Sequence, residues 1–154
     1  MRRSDREVTD PRWWNEVIDA APYLVLALHD DPAPYTVPLC FVRMNGALYL
    51  HMAQEGKKLD LLGRNPRAGF VAVVDAAVVA GETACAHGMR YRSVAGMGTC
   101  TMVEESMEKR LALGAFARKY AGEDLGVFSP ESLAATVVVR LDPVAVTGKR
   151  SGPA

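Results

Sequence analysis

The sequence predicts a mainly β protein, a barrel of antiparallel strands with helices packed outside it. Three observations predict it. Short apolar runs bounded by turn residues follow one another between residues 23 and 52. Asn45-Gly46 separates two of these runs, and this dipeptide suits two-residue hairpins because both residues accept positive φ. The regular alternation of strand and helix that builds a parallel sheet is missing.

The elements follow in order. Residues 1–9 are expected to form a polar arm. Asp10 and Pro11 signal a helix start, since Asp can cap and Pro suits the first turn. The helix runs to about residue 21, with Trp14, Val17 and Ile18 inward, and Pro22 stops it. Residues 23–28 form a first strand, Asp30 to Pro34 a turn cluster, and residues 35–43 a second strand. Residues 47–52 are a third strand, paired antiparallel with the second through Asn45-Gly46. Residues 57–64 carry a short helical pattern closed by Asn65-Pro66.

Residues 67–75 form a run apolar enough to expect burial on both faces. Residues 76–89, small and Gly-rich, read as a loop or irregular strand. Residues 90–103 are a long fifth strand in which Gly96 and Gly98 mark a bulge or a close backbone approach. Residues 104–120 are the clearest helix, with acidic residues at its start and basic ones at its end. Ser129, Pro130 and Glu131 open a short helix. Residues 136–146 are a final strand region interrupted at Asp142-Pro143, and residues 149–154 a loose tail. One domain spans residues 1–154.

Composition excludes several classes of function. Eighteen basic residues balance eighteen acidic ones, so no chain-wide nucleic-acid footprint is expected. No apolar run approaches the ~20 residues of a membrane helix, and no apolar stretch follows the basic start, so a cytoplasmic location is expected. Cys40, Cys85 and Cys100 form no CxxC and read as buried free thiols. His29, His51 and His87 lack metal-ligand spacing, and no metal site is expected.

Residues 51–66 are the most informative stretch. A strand ends at His51 and Met52, a turn containing Gly56 follows, and Lys57 and Lys58 open a helix. Free N–H groups and the dipole at a helix start suit a phosphate. Two readings stand for the lysines: a solvated helix start, or partners of an anion. Cations at a helix start oppose the dipole, and a bound phosphate would account for them. Residues 88–98 are the second stretch. Alternation puts Arg90, Arg92 and Val94 on one strand face and Tyr91, Ser93 and Ala95 on the other. Arg92 and Ser93 therefore reach one ligand only across a bulge. No nucleophile elbow and no acid–base carboxylate pair is present. Chemistry in such a chain would be borrowed from a cofactor.

These residues resemble the flavin-binding split-barrel proteins related to pyridoxamine 5'-phosphate oxidase, in particular the Nim-type branch linked to nitroimidazole resistance. The likeness lies in the start Met1 to Glu7, in the strand Tyr35 to Phe41 before the hairpin, in His51-x-Ala53-x-x-Gly56-Lys57-Lys58 through Asn65-Pro66, and in Tyr91-Arg92-Ser93-Val94 with Gly96 and Gly98. The resemblance implies a homodimer with two FMN sites at its interface. It implies that Pro38, Leu39, Cys40 and Phe41 line the isoalloxazine ring. It places His51, Met52, Ala53, Lys57 and Lys58 around the phosphate or ring edge, with Tyr91, Arg92 and Ser93 nearby. His51 is the implied catalytic residue, and the reaction is reduction of a small molecule such as a nitro compound. Some relatives hold haem or a deazaflavin in place of FMN, so haem handling with His51 or His87 as axial ligand, or a non-catalytic flavin-binding module, are the alternatives.

Overall fold

The structure is a computed structural model that describes residues 3–123 and 128–152. Eight strands form one antiparallel sheet: β1 (Glu7–Val8), β2 (Leu24–Leu28), β3 (Tyr35–Leu39), β4 (Phe41–Met44), β5 (Ala47–Met52), β6 (Arg67–Val79), β7 (Gly88–Met102) and β8 (Val137–Ser151). The helices are α1 (Pro11–Ala20), α2 (Lys57–Arg64), α3 (Ser106–Ala121) and α4 (Pro130–Ala135). The predicted starts are borne out in atomic terms. Asp10 accepts from the Arg12 N–H at 2.9 Å, with Pro11 in the first turn. The Glu105 carboxylate caps α3, and Gly122 ends it at φ 73°.

The sheet order is β3-β2-β6-β7-β8-β5-β4, with β1 added on β8. Its two end strands, β3 and β4, are consecutive in the chain and separated by Cys40 alone. The single strand expected over residues 35–43 is thus two strands. The first half pairs with β2, Leu39 opposite Leu24; the second pairs with β5, Phe41 opposite Leu50. The sheet is not closed by hydrogen bonds. The chain itself crosses the gap, which makes a split barrel. Pro38 lacks an N–H to donate and sits on an edge strand, where proline is tolerated.

Two apolar clusters hold the layers together. Inside the barrel, Leu24, Leu26 and Leu28 meet Phe41, Leu48, Leu50, Phe70, Val94 and Leu141, with Val17 and Ile18 of α1. On the outside of β4, β5 and β8, Val42, Tyr49 and Val138 pack against Ala112, Leu113 and Phe116 of α3. The other half of the outer face carries no helix. Val25, Val71 and Ala95 form one outward row there, continued by Pro38; Thr36, Ala27, Gly69 and Met97 form the next.

Several expectations are corrected. β6 buries one face only, through Ala68, Phe70, Ala72 and Val74, while Val73 is 47% exposed. Within one chain the interior cluster covers only that face, and the apolar residues of the other, Val71 and Val73, stay accessible. Within residues 76–89, 76–79 and 88–89 extend the ladder, while 80–87 form the expected loop, with a short 3-10 turn at Ala84–Ala86. β6 and β7 pair on past a bulge at Val74/Ala77, where Asp75 takes φ 56°. The arm and the tail are ordered by each other: Glu7 pairs with Lys149, Val8 with Gly148, and the Arg6 guanidinium donates to Ser151 Oγ at 3.0 Å. Residues 1, 2, 153 and 154 lie outside the described residues. The interruption at Asp142-Pro143 is a bulge, since Met97 faces Ala145 and Gly98 faces Pro143, leaving Val144 unpaired. Cys40 and Cys85 are exposed, the first between β3 and β4 and the second in a 3-10 turn; Cys100 is buried, and burial pushes its thiol up to about 12.

Candidate functional site

The gap between β3 and β4 is where the predicted ring-lining residues fall. Phe41 is opposite Leu50, so Cys40 and His51 each lie one residue beyond that pair, at the same end. Thr36, Pro38 and Cys40 are exposed along β3 and its exit, and His51 and Ala53 are exposed beside them. Phe41 and Met52 face the barrel interior. Residues 38–41 and 51–53 are therefore brought together as one mainly apolar strip. It lies on the seam between the helix-covered and bare halves of the barrel.

At the far end of the strip stands the start of α2. Tyr35 to Leu39 is four residue steps, about 13 Å of extended chain. Lys57 reaches Tyr35 there, with Nζ 5.2 Å from the ring centroid, and pairs with Asp30 at 2.7 Å. The ammonium holds the Asp30 carboxyl below the usual carboxylate range. Lys57 thus has a partner that the sequence did not reveal. Lys58 has no hydrogen-bond or ion-pair partner among the described residues. Gly56 caps α2 at φ 122°, a conformation that side chains rarely adopt, and no side chain satisfies the helix's first N–H groups.

Tyr91, Arg92 and Ser93 are not brought to this strip. From Pro38 to Ala95 the outward row crosses three strand spacings, about 14 Å, and Ser93 is the next outward residue along β7. Arg92 bonds the Asp75 carboxylate. Arg90, Tyr91, Arg92, Arg150, Trp13 and Asp75 line a separate cavity of about 570 Å³ at the end of the β6–β7–β8 ladder.

Three residues of α3 belong to the site and were not singled out in the sequence. Phe116, Lys119 and Tyr120 are spaced i, i+3, i+4 and share one helix face. Phe116 meets the His51 ring edge-on at 4.6 Å. Lys119 lies 4.0 Å from the Phe41 ring centroid, and burial lowers its pKa. The Tyr120 hydroxyl bonds the Phe41 backbone. Only the aromatic pair at i, i+4 was visible in the sequence, and it points to no particular partner.

His51 has no hydrogen-bond partner for its ring among the described residues, and although one side of it is open, the desolvation of the rest lowers its pKa. The sign follows directly. A histidine depressed in the folded state binds fewer protons there than when unfolded, so its contribution is complete above the ordinary value near 6.5 and is lost as pH falls through the lower folded value. Urea unfolding of His51→Gln across pH 5–8 is expected to show a shallower acid-side loss of stability than the parent. Identical slopes would mean that His51 carries none of it.

The family model described as pyridoxamine 5'-phosphate oxidase matches residues 12–150. A protein from Bacteroides thetaiotaomicron, described as a candidate 5-nitroimidazole antibiotic resistance protein, is 28% identical. Its match covers 94% of this chain and 86% of its own, at a TM-score of 0.83. A flavocytochrome from Azotobacter vinelandii is 18% identical, covering 99% and 72%, at 0.86. An FAD- and haem-binding protein from Mycobacterium smegmatis is 23% identical, covering 96% and 74%, also at 0.86. The last two share the fold. No curated protein matches the chain. The chain belongs to the pyridoxamine 5'-phosphate oxidase family, within which it is similar to the nitroimidazole-resistance branch.

Proposed function

We propose that the protein is an FMN-dependent oxidoreductase acting on a small molecule, of the kind that reduces nitro compounds. One observation carries the reading: a mainly apolar strip at residues 38–41 and 51–53 ends, about 13 Å along β3, at a helix start that bears Lys57 and Lys58 and has no side-chain cap. A planar ring at one end and a phosphate at the other fit that arrangement. The lysines and the free N–H groups of α2 would hold the phosphate. His51 and the backbone of residues 38–41 would face the ring, and the bound flavin would pass electrons to the acceptor.

The dimer belongs to the same proposal. The bare outer rows of Val25, Ala27, Val71, Val73, Ala95 and Met97 are apolar, with Met97 60% exposed. Such a face marks an association surface. A second protomer covering it would bring its own Tyr91, Arg92 and Ser93 toward the strip, which the two strands between, β2 and β6, prevent within one chain. Met97→Glu is expected to convert a dimer into a monomer and to release FMN, read by light scattering and flavin fluorescence. A parent protein that binds FMN as a monomer would refute the shared site.

The test of function is the absorbance spectrum of the purified protein, followed by nitro-compound turnover with a nicotinamide donor. Flavin bands with turnover are expected. A colourless protein that ignores added FMN but gives a Soret shift with haem, lost in His51→Ala, would replace this reading with haem binding. Bound FMN without turnover would leave a flavin-binding module.

A further inference from the structure

The last turn of α3 does more than cover the sheet. The Tyr120 hydroxyl accepts the Phe41 N–H at 2.9 Å. Its own proton can go to Pro22 O at 2.8 Å or to Phe41 O at 3.0 Å. These groups lie at the entry to β2 and the start of β4, on the two sides of the barrel's gap. A backbone edge there would otherwise have neither strand nor partner. The hydroxyl stands where the next strand would be.

The same helix face fixes the neighbouring groups. The Tyr120 ring stacks on Phe116 at 6.0 Å, and Phe116 abuts His51. Lys119 covers the Phe41 ring. One turn of α3 therefore sets the backbone at Cys40–Phe41 and the edge of His51 together. A second tyrosine bond to α3 lies at the helix's other end: Tyr49 donates to Glu108 at 2.8 Å, alongside Arg140. Burial, with Glu108 next, pushes the Tyr49 hydroxyl up to about 12. That bond fastens the helix to the sheet without touching the strip.

We propose that Tyr120 is a positioning residue for the flavin: its hydroxyl fixes the Phe41 backbone and so the path of the chain from Cys40 to Phe41, against which the ring would lie. The proposal rests on the FMN reading above. Tyr120→Phe removes one oxygen and keeps the stacking. It leaves the Phe41 N–H and a carbonyl unpaired, a loss that corresponds to about a tenfold rise in the FMN dissociation constant. The visible circular dichroism of bound flavin is expected to change with it. Tyr49→Phe, the control, is expected to lower the urea midpoint while leaving FMN affinity and the flavin spectrum as in the parent. The proposal is overturned if Tyr120→Phe binds FMN with parental affinity and spectrum, or if Tyr49→Phe moves both equally. A parent protein that binds no flavin overturns the FMN reading itself and this proposal with it, an outcome seen before any variant is made.

Discussion

Replacing Lys57 and Lys58 together by alanine is expected to weaken FMN binding about a hundredfold, near 2.7 kcal/mol. Each lysine would contribute a charge-assisted bond to the phosphate, discounted for the exposure of Lys57, which is 57% accessible. The two are not equivalent. Lys57 already pairs with Asp30 and gains less by turning to a phosphate, whereas Lys58 gives up no partner. Lys58→Ala alone should therefore cost more than Lys57→Ala alone. The affinity left in the double variant should depend less on salt, because two screened attractions are gone. Isothermal titration at two ionic strengths measures all three quantities. Parental affinity in the double variant would return the lysines to a solvated helix start.

Gly98→Ala should be among the most destabilising single-methyl changes in the protein. A Cβ at this position would overlap the Asp142 carbonyl oxygen and lie 2.9 Å from Leu141 Cδ2. The first of these is backbone and cannot swing away. It is held by the bulge that sets Gly98 opposite Pro143. Overpacking of this kind costs about 3 kcal/mol, or roughly 6–12 °C of melting temperature in a domain of this size. Gly88→Ala is the matched control on the same strand, because a Cβ there meets nothing within 4 Å. It should stay within about 0.5 kcal/mol of the parent. If thermal unfolding shows the two variants alike, the β7–β8 crossing is looser than its packing implies.

What the sequence showed, and what it hid, divides along a physical line. Local chemistry was legible. Asn45-Gly46 fixed the β4–β5 hairpin, Asp10-Pro11 the start of α1, and Gly96 and Gly98 a close backbone approach that Phe70, Ala145 and Asp142 now explain. Lys57 and Lys58 do open a helix with free N–H groups. Features set by distant partners were not legible. Nothing in residues 57–58 announces Asp30, and nothing in Tyr120 announces Phe41. The strand break at Cys40 depends on which neighbour each half finds, β2 for one and β5 for the other. The β6–β7 ladder beyond residue 75 was hidden because small residues there have no periodicity, and the bulge at Asp75 shifts the faces. Tyr91, Arg92 and Ser93 were grouped with the strip by resemblance; within one chain the register sets them three strand spacings away.

The pairing of β5 with β8 has a consequence for how the chain acquires its shape. β4 and β5 can zip as a hairpin as soon as both exist, but the other edge of β5 waits for Val137–Leu141, with Leu48 opposite Leu141. During synthesis that delay is on the order of ten seconds at typical elongation rates. Through that interval Leu48, Leu50 and Met52 belong to an incomplete sheet with an open edge, the species most apt to pair with another chain. The last strand made is the one that seals the first half built, so a chain cut short before β8 keeps an apolar hairpin with nothing to close it.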